Sequence, residues 1–127
     1  MLIVQSTPAL FSDNTEIADD LFKRIRVLCW VMTAPQFLQT KAIHVKETWG
    51  KRCNVLLFAS DYHDPNFPTI NITVPSGRDH LTAKTMATFD YIYKNHYDDA
   101  DWFMKADDDS YVILENLRYF LSSQNST

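Results

Sequence analysis

Glycine is almost absent from this 127-residue chain, which has only Gly50 and Gly77. Proline is sparse too, at five residues, and no tract or repeat recurs. That excludes a low-complexity or linker sequence. Nowhere do Lys and Arg cluster, and the formal net charge is −4. Such a balance offers no basic face to nucleic acid. No apolar run approaches the roughly 20 residues that span a bilayer. The opening Met1-Leu2-Ile3-Val4 is too short for the apolar core of a signal peptide. A targeting segment, if the parent protein is secretory, is expected outside this chain. Only two cysteines occur, Cys29 and Cys53. On composition alone they read equally well as buried thiols or as a disulfide. The triplets Asn71-Ile72-Thr73 and Asn125-Ser126-Thr127 are glycosylation sequons, a weak sign of a secretory protein.

What is present is a generous supply of core. Hydrophobic residues make up 46% of the chain and aromatics 13%, enough for one packed domain. Residues 1–13 read as a tail and 14–127 as the domain. Asp13 and Glu16 have capping-box spacing ahead of Ile17, Leu21 and Ile25, which predicts a helix over about 14–24. The run Val27-Leu28-Cys29-Trp30-Val31-Met32-Thr33, closed by Ala34-Pro35, suits a strand buried on both faces. Leu38, Ala42, Val45 and Trp49 recur at helical spacing and stop at Gly50, predicting one amphipathic helix. Val55–Ala59 reads as a second buried strand. Ile70, Ile72 and Val74 alternate with polar residues, as in a half-exposed strand. After the turn Pro75–Asp79, a helix with Leu81, Phe89 and Ile92 on its apolar face is expected to end near His96. Trp102–Ala106 is then a strand, and a last helix runs through about Phe120. Strands alternating with helices indicate an α/β domain with a mainly parallel sheet.

The fourth predicted strand runs straight into Asp107-Asp108-Asp109. In open parallel sheets, ligands bind beyond the carboxyl ends of strands, where this triplet falls. Three adjacent carboxylates repel one another, so a raised pKa or a bound cation is expected. In extended chain the first and third side chains share a face, which pairs Asp107 with Asp109 and turns Asp108 elsewhere. An all-oxygen pair suits Mg²⁺ or Mn²⁺ and leaves positions for water and phosphate. An EF-hand loop is excluded, because Val112 stands where the loop requires glycine. A phosphatase with an Asp-x-Asp nucleophile is the rival chemistry. Lys105 within the strand and the late position of the motif count against it.

Four blocks resemble the fringe-like beta-1,3-glycosyltransferases. They are Cys29–Thr33, His44-Val45-Lys46-Glu47-Thr48-Trp49, Gly77-Arg78-Asp79 and Ala100-Asp101-Trp102-Phe103-Met104-Lys105-Ala106-Asp107-Asp108-Asp109-Ser110-Tyr111-Val112. The likeness covers about residues 15–122 and is far more specific than the acidic triplet alone. It implies a GT-A fold, Rossmann-like, and an inverting, Mn²⁺-dependent enzyme. Its donor would be UDP-galactose and its acceptor a serine- or threonine-linked GalNAc on a glycoprotein. A Golgi location, with a type II membrane anchor upstream of this chain, is implied as well, and a homodimer is among the assemblies the resemblance allows. Asp107 and Asp109 match the metal-binding pair, with Asp107 also against the nucleotide. Met32 and Thr33 match the seat of the uridine. Ser76, Gly77, Arg78 and Lys84 fall at positions near the ribose and diphosphate, where Gly77 permits close backbone approach and Arg78 and Lys84 supply cations.

Ala34, Ser76 and Ala83 depart from the family pattern, which has a glycine, an acidic residue and a bulky aromatic there. The family's remaining metal-binding histidine, its catalytic base and its acceptor pocket match nothing in this chain. His44, His63, His80 and His96 are not that histidine. The resemblance therefore describes a donor-binding half, with the base expected elsewhere. A non-catalytic chaperone or binding relative is the other family reading, and the retained acidic triplet weighs against it.

Overall fold

A computed structural model describes residues 15–61, 64, 66–72 and 80–124. In chain order they form α1 (Thr15–Arg24), β1 (Val27–Met32), a 3-10 turn (Pro35–Phe37), a π-helical turn (Leu38–Ala42) and α2 (Ile43–Glu47). A second 3-10 turn (Trp49–Arg52), β2 (Val55–Ser60), β3 (Thr69–Asn71), α3 (Leu81–His96), β4 (Trp102–Asp107) and α4 (Leu114–Leu121) complete the order. The strands lie in the order β3-β2-β1-β4, and every pairing is parallel.

β1 sits between β2 and β4, and all six of its residues are buried. That explains the unbroken apolar run: a central parallel strand is covered on both faces and has no position for a polar side chain. Strand alternation divides it. Val27, Cys29 and Val31 pack with Leu38, Val45, Trp49, Leu114 and Leu117 on one face. Leu28, Trp30 and Met32 pack with Leu57, Ile70 and Ile92 on the other. α1, α2 and α4 contribute to the first layer and α3 to the second.

The helix expected over Leu38–Trp49 is broken into a π turn, a short α segment and a 3-10 turn. Its apolar stripe nevertheless survives, since Leu38, Ala42, Val45 and Trp49 are all buried. The break comes at Thr48, whose backbone leaves the helical region (φ −117, ψ −111) and whose hydroxyl donates to the His44 carbonyl at 2.5 Å. Such back-bonding competes with the helical ladder. α3 also differs from expectation. Leu81 and Phe89 are exposed, and the inward row is Lys84, Thr88 and Ile92. β3 is only three residues long, with Ile70 and Ile72 both buried, while Val74 and Asp13 lie outside the described residues.

Cys29 and Cys53 form a disulfide, with Cα atoms 6.0 Å apart. Of the two readings open to them from composition, the bonded pair holds. Their neighbouring parallel strands explain it: Leu28 pairs with Val55 and Cys29 with Leu56, so Cys53 enters β2 beside β1.

A second tie fixes β4. Arg26, just before β1, donates from Nε and Nη2 to the two carboxylate oxygens of Asp101 at 3.1 and 3.0 Å. Its carbonyl accepts the backbone N–H groups of Asp101 and Trp102. The guanidinium holds the Asp101 carboxyl below its usual range. This fork sets the register Val27–Trp102, which carries along the strands to Met32–Asp107. A clamp at the amino ends of β1 and β4 thereby aligns their carboxyl ends.

Candidate functional site

Strand order decides where a crevice opens. From β1 the chain moves to β2 and β3 on one side, then crosses to β4 on the other. At that reversal in strand order a gap opens above the carboxyl ends of β1 and β4. The gap is a crevice of about 370 Å³. Met32, Thr33 and Ala34 from the end of β1 line it, with Gln36 and Phe37 from the adjoining turn. Leu81 and Lys84 enter from α3, and Asp107, Asp108 and Asp109 from the end of β4.

Asp107 ends β4, half-buried, with Oδ1 3.3 Å from the Lys105 ammonium. Asp108 and Asp109 belong to a turn rather than to the strand. The Ser110 N–H closes that turn onto the Asp107 carbonyl at 3.1 Å. The Trp49 indole N–H braces it from below, donating to the Ser110 carbonyl at 2.9 Å. On the crevice side, the Thr33 hydroxyl donates to Asp108 Oδ2 at 2.8 Å. Thr33 extends the β1 ladder, its N–H donating to the Ala59 carbonyl at 3.1 Å. Its own carbonyl accepts from Lys84 Nζ.

Lys84 is 2% exposed, so it is a buried cation and not a solvated surface charge. Burial pushes its ammonium pKa down, and the charges of Asp61 and Asp108 push it back up. Its position on the inward row of α3 is reinforced by Thr88, whose hydroxyl donates to the Lys84 carbonyl at 2.7 Å.

Of the residues singled out from sequence, Met32, Thr33, Lys84, Asp107 and Asp109 share this crevice. Ser76, Gly77 and Arg78 lie outside the described residues. Because the strand stops at Asp107, strand alternation no longer decides how Asp107 and Asp109 pair; the turn does. Gln36, Phe37 and Leu81 were not anticipated in the wall, nor was the Thr33–Asp108 bond. Adjacency of Asp108 to the two expected ligands was the available signal for it. Among the described residues, no three acidic, histidine or cysteine side chains converge into a ready-made cation cage. The turn instead offers an open, partial oxygen shell, which fits a hard cation that arrives with phosphate oxygens of its own. None of His44, His80 and His96 lines the crevice. His44 and His80 are exposed, and His96 pairs with Asp99 at 2.8 Å.

The sequence pattern behind this geometry matches a family model described as Fringe-like over residues 23–127. The chain belongs to the Fringe-like family. Its parallel sheet between helical layers is the Rossmann-like arrangement of a GT-A fold. The glycoprotein-N-acetylgalactosamine 3-beta-galactosyltransferase 1 of Xenopus laevis is 48% identical over 111 residues, covering 87% of this chain and 31% of that protein. The beta-1,3-glucosyltransferase of Mus musculus is 25% identical over 105 residues, or 83% of this chain and 22% of the relative. Human chondroitin sulfate synthase 3 is 31% identical over 105 residues, 76% of this chain and 12% of the relative. The chain thus spans about a third or less of the length of these relatives. Membership leaves the Asp-x-Asp phosphatase reading without an observation in its favour. No helix among the described residues is long and apolar enough to cross a membrane.

Proposed function

We propose that this chain is the donor-binding portion of a beta-1,3-galactosyltransferase. The whole enzyme would move galactose from UDP-galactose to the 3-hydroxyl of serine- or threonine-linked GalNAc, inverting the anomeric centre. One observation carries the reading: an acidic turn faces the end of β1 across a switch-point crevice, in a Fringe-like chain. The 48% identity to a glycoprotein-N-acetylgalactosamine 3-beta-galactosyltransferase favours galactose and GalNAc over the substrates of other relatives. Residues 1–13 would be a stem remnant and 14–127 the donor half. Its setting would be the Golgi lumen, with the membrane anchor outside this chain and a homodimer as the assembly.

Asp107 and Asp109 would hold Mn²⁺, which supplies positive charge to the diphosphate as it departs. Met32 and Thr33 form the wall that would seat the uridine, Thr33 being held by its ladder bond to Ala59. Gly77 and Arg78, with Ser76, would approach the ribose and diphosphate from the segment before α3. Lys84 adds a buried positive charge under the same wall. The acceptor hydroxyl needs a base, and none is assigned among these residues.

Calorimetry with UDP, with and without Mn²⁺, tests the reading on the wild type and on Asp109→Ala. Binding should require Mn²⁺ and be lost in the variant, since two carboxylates and a diphosphate together complete the oxygen shell. Equal UDP affinity in all four conditions would sink it.

A further inference from the structure

The middle carboxylate of the triplet has a partner of its own, and that partner belongs to a different strand. We propose that Asp108 is a positioning residue: bonded to Thr33, it anchors the acidic turn to the end of β1 and so presents Asp107 and Asp109 as a preformed pair. The inference rests on the donor-site reading of those two residues.

Thr33 is a firm anchor point. It is buried, its N–H is tied to Ala59 on β2, and its carbonyl is tied to Lys84 on α3. The remaining polar group is the hydroxyl, and it donates to Asp108 at 2.8 Å. One residue therefore joins β2, α3 and the turn after β4. The far side of that turn is held by the Trp49 indole on the Ser110 carbonyl at 2.9 Å. Asp109 stands between these two attachments and Asp107 directly before the first. Three adjacent carboxylates in a short turn repel one another, and an unanchored turn would relax by spreading them. Bonding Asp108 to a strand end separates it from the other two and restrains the turn. Hydrogen-bond partners of this kind orient ligands and are worth about 10–100-fold in metal affinity.

The test reads Mn²⁺ uptake in the presence of UDP, by electron paramagnetic resonance of the free ion, with thermal unfolding of each variant alongside. Thr33→Val keeps the shape and removes the donor, and Asp108→Ala removes the acceptor. Each should weaken Mn²⁺ uptake by about 10–100-fold with the fold retained. Thr33→Ser keeps a hydroxyl and Asp108→Asn keeps an acceptor oxygen, so each should recover most of the uptake that Thr33→Val and Asp108→Ala lose. Should Thr33→Val fail to fold, Asp108→Ala at the half-buried turn carries the same comparison against Asp108→Asn. An Asn variant as damaged as the Ala variant would mean that Asp108 acts by its charge, as a ligand, and the positioning role would be wrong. Wild-type uptake by Thr33→Val and Asp108→Ala would equally overturn it. If the wild type itself takes up no Mn²⁺ with UDP, the donor-site reading fails first and this inference goes with it.

Discussion

Lys84 and Arg118 are buried on helices whose local sequence reads as ordinary amphipathic surface, and each directs its charge at backbone carbonyls. Arg118, on α4, donates through Nε to the Ile25 carbonyl at 3.1 Å and through Nη2 to the Arg52 carbonyl at 2.5 Å and Asn54 Oδ1 at 2.8 Å. The Phe22 ring lies 4.8 Å away. Burial pushes the guanidinium pKa down to about 10, so it remains charged at neutral pH. Arg118→Met would take this donor from the Ile25 and Arg52 carbonyls, while Asn54 Oδ1 keeps the Val27 N–H, and a loss of about 3 kcal/mol is expected. Arg118→Lys keeps the charge but not the planar fork, so its loss should be similar in sign and smaller. Urea unfolding midpoints at constant slope measure both. A cost under about 1 kcal/mol for the Met variant would mean that water replaces the guanidinium. Neither lysine nor arginine could be placed inside by pattern, because periodicity assigns charged residues to solvent. Their reason for burial lies in carbonyls at strand ends and helix ends that are remote in sequence. The acidic triplet, by contrast, was readable, since its signal is three neighbours in one strand-to-turn step.

Among the elements, the strands matched their sequence patterns closely and the helices less so. β1 and β2 are continuous apolar runs, and only a strand covered on both faces requires that. The Leu38–Trp49 stripe was equally clear, yet the chain beyond β1 forms a π turn, a short α segment and a 3-10 turn. Periodicity reports which residues face the core, and a broken helix can satisfy it as well as a straight one. Gly50 makes the same point. It reads as a helix stop, but a Cβ there would lie 2.7 Å from the Val45 carbonyl oxygen and 2.8 Å from Leu56 Cδ2. Close approach to the Val45 backbone carbonyl, more than to the movable Leu56 side chain, is the physical requirement. The Cys29–Cys53 bond spans 24 residues that include all of this irregular segment. Closing a loop of that size in the unfolded chain contributes about 3 kcal/mol. Alkylation of denatured, non-reduced protein made in an oxidising compartment should find no free thiol, and Cys29→Ala/Cys53→Ala should lose about that much stability. Two freely alkylated cysteines would refute the pairing, and an unchanged unfolding midpoint would refute its contribution.

At the scale of the whole molecule, the proposed division of labour can be measured. In this proposal the crevice would supply nucleotide and cation contacts, while no base is assigned among the described residues. Losing a general base costs about 10²–10⁴ in rate, and a missing acceptor pocket removes positioning besides. With UDP-galactose, Mn²⁺ and a GalNAc-bearing peptide, this chain should turn over at least about 100-fold more slowly than a chimera completed with the remaining part of the Xenopus laevis relative. Comparable turnover would place the base within these residues.

The sheet order also has a consequence in time. The two bonds that tie β1 to β4 at opposite ends of the strands, Arg26–Asp101 and Thr33–Asp108, each join residues 75 positions apart. β1 can pair with β2 soon after both are synthesised, but its other edge must wait for β4. Loop closure over such a distance comes late, because its entropic cost precedes the contacts that offset it. On the ribosome, the half of the crevice made by β1 emerges first and stands open until the acidic turn arrives. The site is the last part of this sheet to come into existence, and a chain released before Asp108 would hold the residues of all four strands but lack the turn on which the proposed donor site depends.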